Sequence, residues 1–403
     1  MQEKAIDNKQ LEEPKSTPKS RAGIVMIIGG IVCLIGGAVL FALPFLLPKE
    51  VLPELSFPQI PSAEVSESYS NLTGLAIQSE ADKTAPAYCI QTPNGTDGAR
   101  PQVGMTQAGV VFEAIAEAGI TRFAAIYQNP SSAVIGPIRS LRIYYLQWDT
   151  PFDCTIVHAG GAADAIAAVR NGGYKDLSES YAYMYRGTAG SRLWNNLFTT
   201  SGNLARFSAD NGYNTSNVTG FTRMTPQQSS KARVDGTVRE KLVITEPASG
   251  DTSELTPTAT HIGINFGGWA SFNVRYVYDA NTNTYARSYE TGVPHEVFEC
   301  PNENLGEVEP ENVCTLKQLT PAVVVAMVVQ EKRAAYDGYH EDITTLGSGE
   351  AYVFQNGQVL HGTWTKNAVA EQIRFYDDSG VEIALAPGQT FVEAVPQYGS
   401  IEY

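Results

Sequence analysis

From Ala22 to Leu47 the chain reads AGIVMIIGGIVCLIGGAVLFALPFLL, 26 residues without a charge, closed by Pro48. A helix needs about 20 predominantly apolar residues to cross a bilayer, so this stretch divides the chain into parts on two sides of a membrane. The apolar core of a cleaved signal peptide is only about 7–15 residues long, which favours an uncleaved anchor. Lys15, Lys19 and Arg21 precede the span and only Lys49 follows it closely; basic flanks stay in the cytoplasm. The expectation is a single-pass cell-membrane protein with a cytoplasmic tail over 1–21, a transmembrane helix over 22–47 and the bulk of the chain extracytoplasmic.

The chain beyond the span is long enough for two folded domains, and 43% of the 403 residues are hydrophobic. A formal net charge of -15 argues against nucleic acid as a partner, since phosphate backbones are bound mainly through Lys and Arg. Residues 48–86 mix Pro, Ser, Glu and Ala without a sustained period and are expected as a stalk. Residues 87–235 alternate helical and strand-like runs, which predicts an α/β domain. VVFEAIAEA is expected as a helix capped by Thr106 and ended by Gly119. ITRFAAIYQ and CTIV come next as strands, and AADAIAAVRN as a helix. Residues 236–403 carry strand-like runs such as KLVITE, NVRYVYD and VVVAMVVQ, with turn signals at Asn356-Gly357 and Ser379-Gly380, and are expected to be mostly β.

Four cysteines lie beyond the span, at 89, 154, 300 and 314. In an oxidising compartment they permit two disulfides. Cys300 and Cys314 bracket the polar loop PNENLGEVEPENV, which a bridge would restrain, so that pair is expected. Cys154 reads equally well as a free buried thiol.

The stretch IGPIRSLRIYYLQWD, from Ile135 to Asp149, sets Arg139 and Arg142 three residues apart after a Gly-Pro turn. At a helix start, cations oppose the helix dipole and call for an anionic partner. Two readings stand: an internal network with Glu113 and Glu117, or capture of a phosphate or carboxylate by Arg122, Arg139 and Arg142, whose forked guanidinium groups suit oxyanions. VHAGGAADA adds a strand, the pair Gly160 and Gly161 and a helix start, a backbone arrangement that can cradle an anion. His158 beside it is a candidate acid or base. Tyr181, Tyr183 and Tyr185 alternate as in a strand and are a candidate aromatic groove. GxSxG, HExxH, Walker A and GxGxxG motifs are absent from the sequence, no two histidines have zinc-ligand spacing, and no metal or cofactor is expected.

RPQVGMTQAGVVFEAIAEAGITRF, IGPIRSLRIYY and IVHAGGAADAI, with LGSGEAYVFQNGQVLHGTWTK and LAPGQTFVEAVP, resemble the YerB-like envelope lipoproteins, a family classed as a domain of unknown function. The resemblance runs in order from Ala87 to Pro396. It implies a membrane-tethered, extracytoplasmic bacterial protein with N- and C-terminal domains. The order ITRF, IGPIRSLR, HAGG is also similar to that of LytR-CpsA-Psr enzymes, which transfer glycopolymers from pyrophosphate lipids. That similarity implies a phosphate-binding role for Arg122, Arg139 and Arg142, although Ala124 and Leu141 stand where those enzymes have acidic residues. The leading expectation is a non-catalytic module that binds a cell-wall precursor, a glycan or an envelope protein. The alternative is a phosphotransferase acting on a lipid-linked pyrophosphate glycopolymer.

Overall fold

In the computed structural model, which describes residues 68–187, 195–233, 260–301, 314–335 and 337–403, the N-terminal half is built on five strands. These are β1 (Ala87–Pro93), β2 (Val110–Glu117), β3 (Ile120–Gln128), β4 (Thr155–His158) and β5 (Asp176–Ser178). Four helices accompany them: α1 (Ile143–Asp149), α2 (Ala163–Asn171), α3 (Ser201–Asn211) and α4 (Pro226–Ala232). The C-terminal half adds β6 (His261–Asn265), β7 (Val274–Asp279), β8 (Thr284–Tyr289), β9 (Val323–Val329) and β10 (Gly347–Gln355). It closes with β11 (Gln358–Lys366), β12 (Arg374–Asp377), β13 (Thr390–Pro396) and β14 (Ser400–Glu402).

VVFEAIAE, expected as a helix, is strand β2. Its residues are buried from Val110 to Ala116, because it lies inside a sheet covered on both faces, where strands lose the alternating pattern that would reveal them. Gly119 is not a helix terminator. Ala118 and Gly119 both take positive φ, 52° and 76°, forming the two-residue turn that suits strand twist and returns the chain as β3, with Glu117 facing Ile120. The register shifts between Ile115 and Glu117. This bulge sends Glu113 and Glu117 to opposite faces of the sheet.

The two halves share one ten-stranded sheet in the order β12-β11-β10-β9-β13-β2-β3-β1-β4-β5. They meet where β13 lies parallel to β2, with Thr390 facing Val110 and Glu393 facing Glu113. One face of the sheet carries α1 and α2, with Phe112 stacked on Trp148 at 5.4 Å. The other face carries α3, through Leu204 and Phe207, and a second sheet ordered β8-β7-β6-β14, which buries Tyr276, Tyr285 and Phe266. The expected stalk ends earlier than residue 86. Leu72 is already in the core, and Arg223 donates to its carbonyl at 2.7 Å.

Disulfides join Cys300 to Cys314 and Cys89 to Cys154. The second closes 65 residues of chain and ties β1 to the start of β4, so Cys154 is not a free thiol. Among the described residues no helix is long and apolar enough to cross a membrane. The segments expected as tail, transmembrane helix and early stalk, together with KLVITE and the boundary at 235, lie outside the described residues.

At the junction of the halves sits a fully buried ionic cluster. The Arg287 guanidinium of β8 pairs with Glu113 of β2 and lies 3.8 Å from Glu393 of β13. It also donates to Tyr276 at 3.0 Å and to His295 Nδ1, while His295 Nε2 bonds Gln102 at 2.9 Å. Glu113 further accepts from Asn94 at 3.1 Å and Thr121 at 2.5 Å. Burial alone would lower the Arg287 pKa, but Glu113, Tyr276 and Glu393 hold it well above its ordinary value. Burial and the neighbouring Glu113 push the Glu393 carboxyl well up. Glu393 Oε2 is buried without a hydrogen-bond partner among the described residues. His295 is held neutral by burial and by Arg287 and Arg100.

Removing one member of such a cluster costs more than the cluster contributes. Arg287→Ala should lose about 3–5 kcal/mol, and combining Arg287→Met with Glu113→Gln should recover most of the loss. Denaturant unfolding of wild type, Arg287→Ala and the double variant checks this; a double variant no more stable than Arg287→Ala would contradict it.

Candidate functional site

Ala118, in the turn Ala118-Gly119, lines a cleft of about 650 Å³ together with Asp97, Glu117, Arg122, Arg139, Asn195 and Trp269. Trp269 comes from the loop between β6 and β7. Its indole N–H donates to the Ala118 carbonyl at 3.1 Å, yet the side chain stays 65% exposed. Gly119 lies under this ring, which an added Cβ would approach within 3.3 Å.

Neither arginine of IGPIRSLR lies inside a helix. Helix α1 begins at Ile143, with Arg142 as its extended N-cap, and Arg139 precedes it in a strip that runs beside the glycine loop. Ala159 donates to the Arg139 carbonyl at 3.0 Å, Leu141 to Gly160 at 3.0 Å and Ala162 to Leu141 at 3.1 Å. The two motifs are thus brought together, but as backbone neighbours. Amides of the loop bond this strip, and Gly161 is required by the close approach of Leu141, whose carbonyl oxygen would lie 2.8 Å from a Cβ there. His158 is buried, with Nδ1 on the Gly160 carbonyl at 2.7 Å and Nε2 on Asp176 at 2.9 Å. It clasps the loop to β5 and does not line the cleft.

The three arginines divide. Glu117 offers one oxygen to Arg122, at 2.8 Å, and the other to Arg142. Burial pushes the Glu117 carboxyl up, but Arg122 and Arg142 outweigh it and hold the pKa below the usual range. Arg122 also donates to the Ser140 carbonyl at 2.8 Å and Arg142 to that of Leu141 at 3.1 Å. Arg139 is different. It is the more exposed of the pair in its motif, and its Nε donates to Asn195 at 2.9 Å, whose amide donates to Asp97 at 3.1 Å. Among the described residues its two terminal nitrogens have no hydrogen-bond partner. Of the two sequence readings, the internal network is found for Arg122 and Arg142, with Glu117 alone, and Arg139 lines the cleft. Glu113 belongs to the ionic cluster at the junction instead.

Tyr181, Tyr183 and Tyr185 do not share one strand face: Tyr181 is 70% exposed, Tyr183 packs on Phe207, and Tyr185 is buried in a short strand of its own, Tyr185–Arg186. Asn195 and Trp269 carry no motif that sequence reading could weigh. The nearest signal is the Gly-Gly pair that sets an exposed tryptophan in a loop.

Behind Glu117, the hairpin of Glu331–Arg333 and Glu341–Ile343 closes on β2 through a bridge between Glu117 and His340. Within it Glu331 is buried, accepts from Tyr398 at 2.6 Å and leaves its second oxygen without a partner. Burial pushes its carboxyl up to about 7.

The matches to known proteins cover the folded body. Residues 72–214 match the family described as protein of unknown function (DUF3048), N-terminal domain, and residues 263–392 match its C-terminal domain. A Bacillus subtilis (strain 168) protein named "Putative lipoprotein YerB" is 25% identical over 327 residues, spanning 81% of this chain and 85% of that protein. The crystal structure of YerB from Bacillus subtilis superposes with a TM-score of 0.64 at 21% identity, covering 84% of this chain and all of the other.

Two outcomes test the geometry. Glu117→Gln leaves two buried guanidinium groups sharing no anion, so it should cost on the order of 3 kcal/mol in denaturant unfolding; a loss below about 1 kcal/mol would show that other groups neutralise them. Glu331 has a folded pKa raised from 4.5 to about 7. Its stabilisation is therefore complete below about pH 4.5 and lost as pH rises to about 7, a change of roughly 3 kcal/mol. Glu331→Gln should flatten the stability profile across that window, and an unchanged slope would contradict the assignment.

Proposed function

The chain belongs to the two-domain YerB-like family, DUF3048, and on that premise we propose that it is a membrane-tethered protein of the bacterial envelope. Its folded body lies outside the cytoplasm and binds a cell-wall precursor, a glycan or an envelope protein without reacting with it. Three features support the compartment. The apolar segment 22–47 follows a basic flank, the relative YerB carries a lipoprotein name, and both disulfides belong to an oxidising environment.

The observation that carries the binding role is Arg139, held by an Asp97–Asn195 relay in a cleft beside an exposed tryptophan. Clefts of a few hundred cubic ångströms with a small number of placed polar groups are the usual form of ligand sites. The phosphotransferase alternative draws on the same arginines, but it would need a carboxylate available to a metal or to an incoming nucleophile. Glu117, between them, has both oxygens in ion pairs.

The test has two parts. A reporter fused after Tyr403 should be active only where its fold requires the exterior, and activity of a cytoplasm-only reporter would overturn the compartment. In co-sedimentation with purified wall material, Arg139→Ala should reduce the bound fraction about tenfold, the usual scale for one charge-assisted contact, with unfolding unchanged. Equal binding by wild type and variant would remove the cleft from the account.

A further inference from the structure

We infer that the cleft at the β2–β3 turn recognises a sugar bearing a single carboxylate, with the carboxylate on Arg139 and the sugar ring on Trp269. The inference rests on the cleft being the binding site and goes on to name the class of ligand.

Charge is the first argument. Three guanidinium groups line or back the cleft, those of Arg122, Arg139 and Arg142, and two carboxylates face them, those of Glu117 and Asp97. Glu117 offsets one of the charges on Arg122 and Arg142, and Asp97 lies beside Arg139, so one positive charge is left over in the group as a whole; the donors left without a partner to receive an anion are the terminal nitrogens of Arg139. A pyrophosphate would bring two or more negative charges against the carboxylates of Glu117 and Asp97 with one cation to receive them. A carboxylate matches one cation, and the fork of a guanidinium fits both of its oxygens. Arg139 is prepared for this: Asn195 fixes its Nε at 2.9 Å, Asp97 fixes Asn195 at 3.1 Å, and the terminal nitrogens have no partner among the described residues.

Trp269 supplies the second argument. An indole left 65% exposed is uncommon unless it serves a contact. Its N–H is bonded to the Ala118 carbonyl, so the ring is held in one orientation against the turn. A fixed flat aromatic ring is a platform for the apolar C–H face of a sugar, with one end of the site wet and the other apolar. Thr96 and Ser271 on the same lining offer hydroxyl groups for the remaining polar atoms of the ligand. A cleft of about 650 Å³ lies in the range of small-ligand sites.

The experiment uses the full chain in detergent micelles, titrated calorimetrically with three probes: a disaccharide carrying one glucuronate, the same disaccharide with its carboxyl group reduced to an alcohol, and inorganic pyrophosphate. The carboxylated sugar should bind about tenfold or more tightly than its reduced form, as expected for one charge-assisted bidentate contact. Arg139→Gln should abolish that difference while leaving the reduced sugar unaffected, and Trp269→Ala should weaken both sugars. Thermal unfolding of each variant separates lost binding from lost fold. Pyrophosphate binding more tightly than the carboxylated sugar would overturn the inference. So would equal binding of the two sugars to wild type and Arg139→Gln, although Trp269→Ala would then still report a working cleft. If no probe binds and the wall co-sedimentation is indifferent to Arg139, the cleft itself is not the site and both readings fall.

Discussion

One arginine sits buried at the seam where the two halves of this molecule pair. Arg287 reaches from β8 to Glu113 on β2 and approaches Glu393 on β13, at the line where the N-terminal and C-terminal strands pair in parallel. All three are fully buried. Moving charges out of water is costly, and a buried pair seldom gains more than it loses. What the cluster provides is specificity: Glu113 and Glu393 face each other across the two central strands, and only a register that presents both to Arg287 leaves no bare charge. Two carboxylates facing one guanidinium carry an excess of negative charge, and burial together with Glu113 raises the Glu393 carboxyl in the direction that relieves it.

The same strand borders the cleft. A bulge after Ile115 reverses the facing of β2, so that Glu113 points to the ionic cluster and Glu117, four residues later, points to Arg122 and Arg142. The turn at Ala118-Gly119 then supports Trp269, which belongs to the C-terminal half. The cleft is therefore made by both halves and depends on their registration. A shift at the β2–β13 pairing would displace the turn from its tryptophan and Glu117 from its arginines.

Much of the β-rich C-terminal half was legible because its strands alternate and their turns carry Asn-Gly and Ser-Gly signals; Asn356 and Gly357 take the positive φ that such a turn needs. β2 was not legible as a strand. VVFEAIAE has no alternation because both its faces are covered, and a glycine at its end serves a hairpin as well as a helix cap. The arginine-bearing motif and the glycine loop drew notice for their chemistry, and they do lie side by side. Their relation is backbone pairing, which leaves no trace in residue type. The bulge that parts Glu113 from Glu117 is equally silent, as is the long-range meeting of Arg139, Asn195 and Trp269, since such contacts are set by topology rather than by local pattern.

Three arginines that the sequence presents alike have unlike tasks in the fold. Arg122 and Arg142 are structural cations that share one carboxylate, and Arg139 is a positioned cation facing an open cleft. The measurement that tests this division most directly is the side-chain Nη resonance of each arginine, labelled in the full chain and followed as purified wall glycan is added. The expected result is a saturable shift of Arg139 with Arg122 and Arg142 unmoved. A shift of Arg122 and Arg142 with Arg139 silent would contradict it.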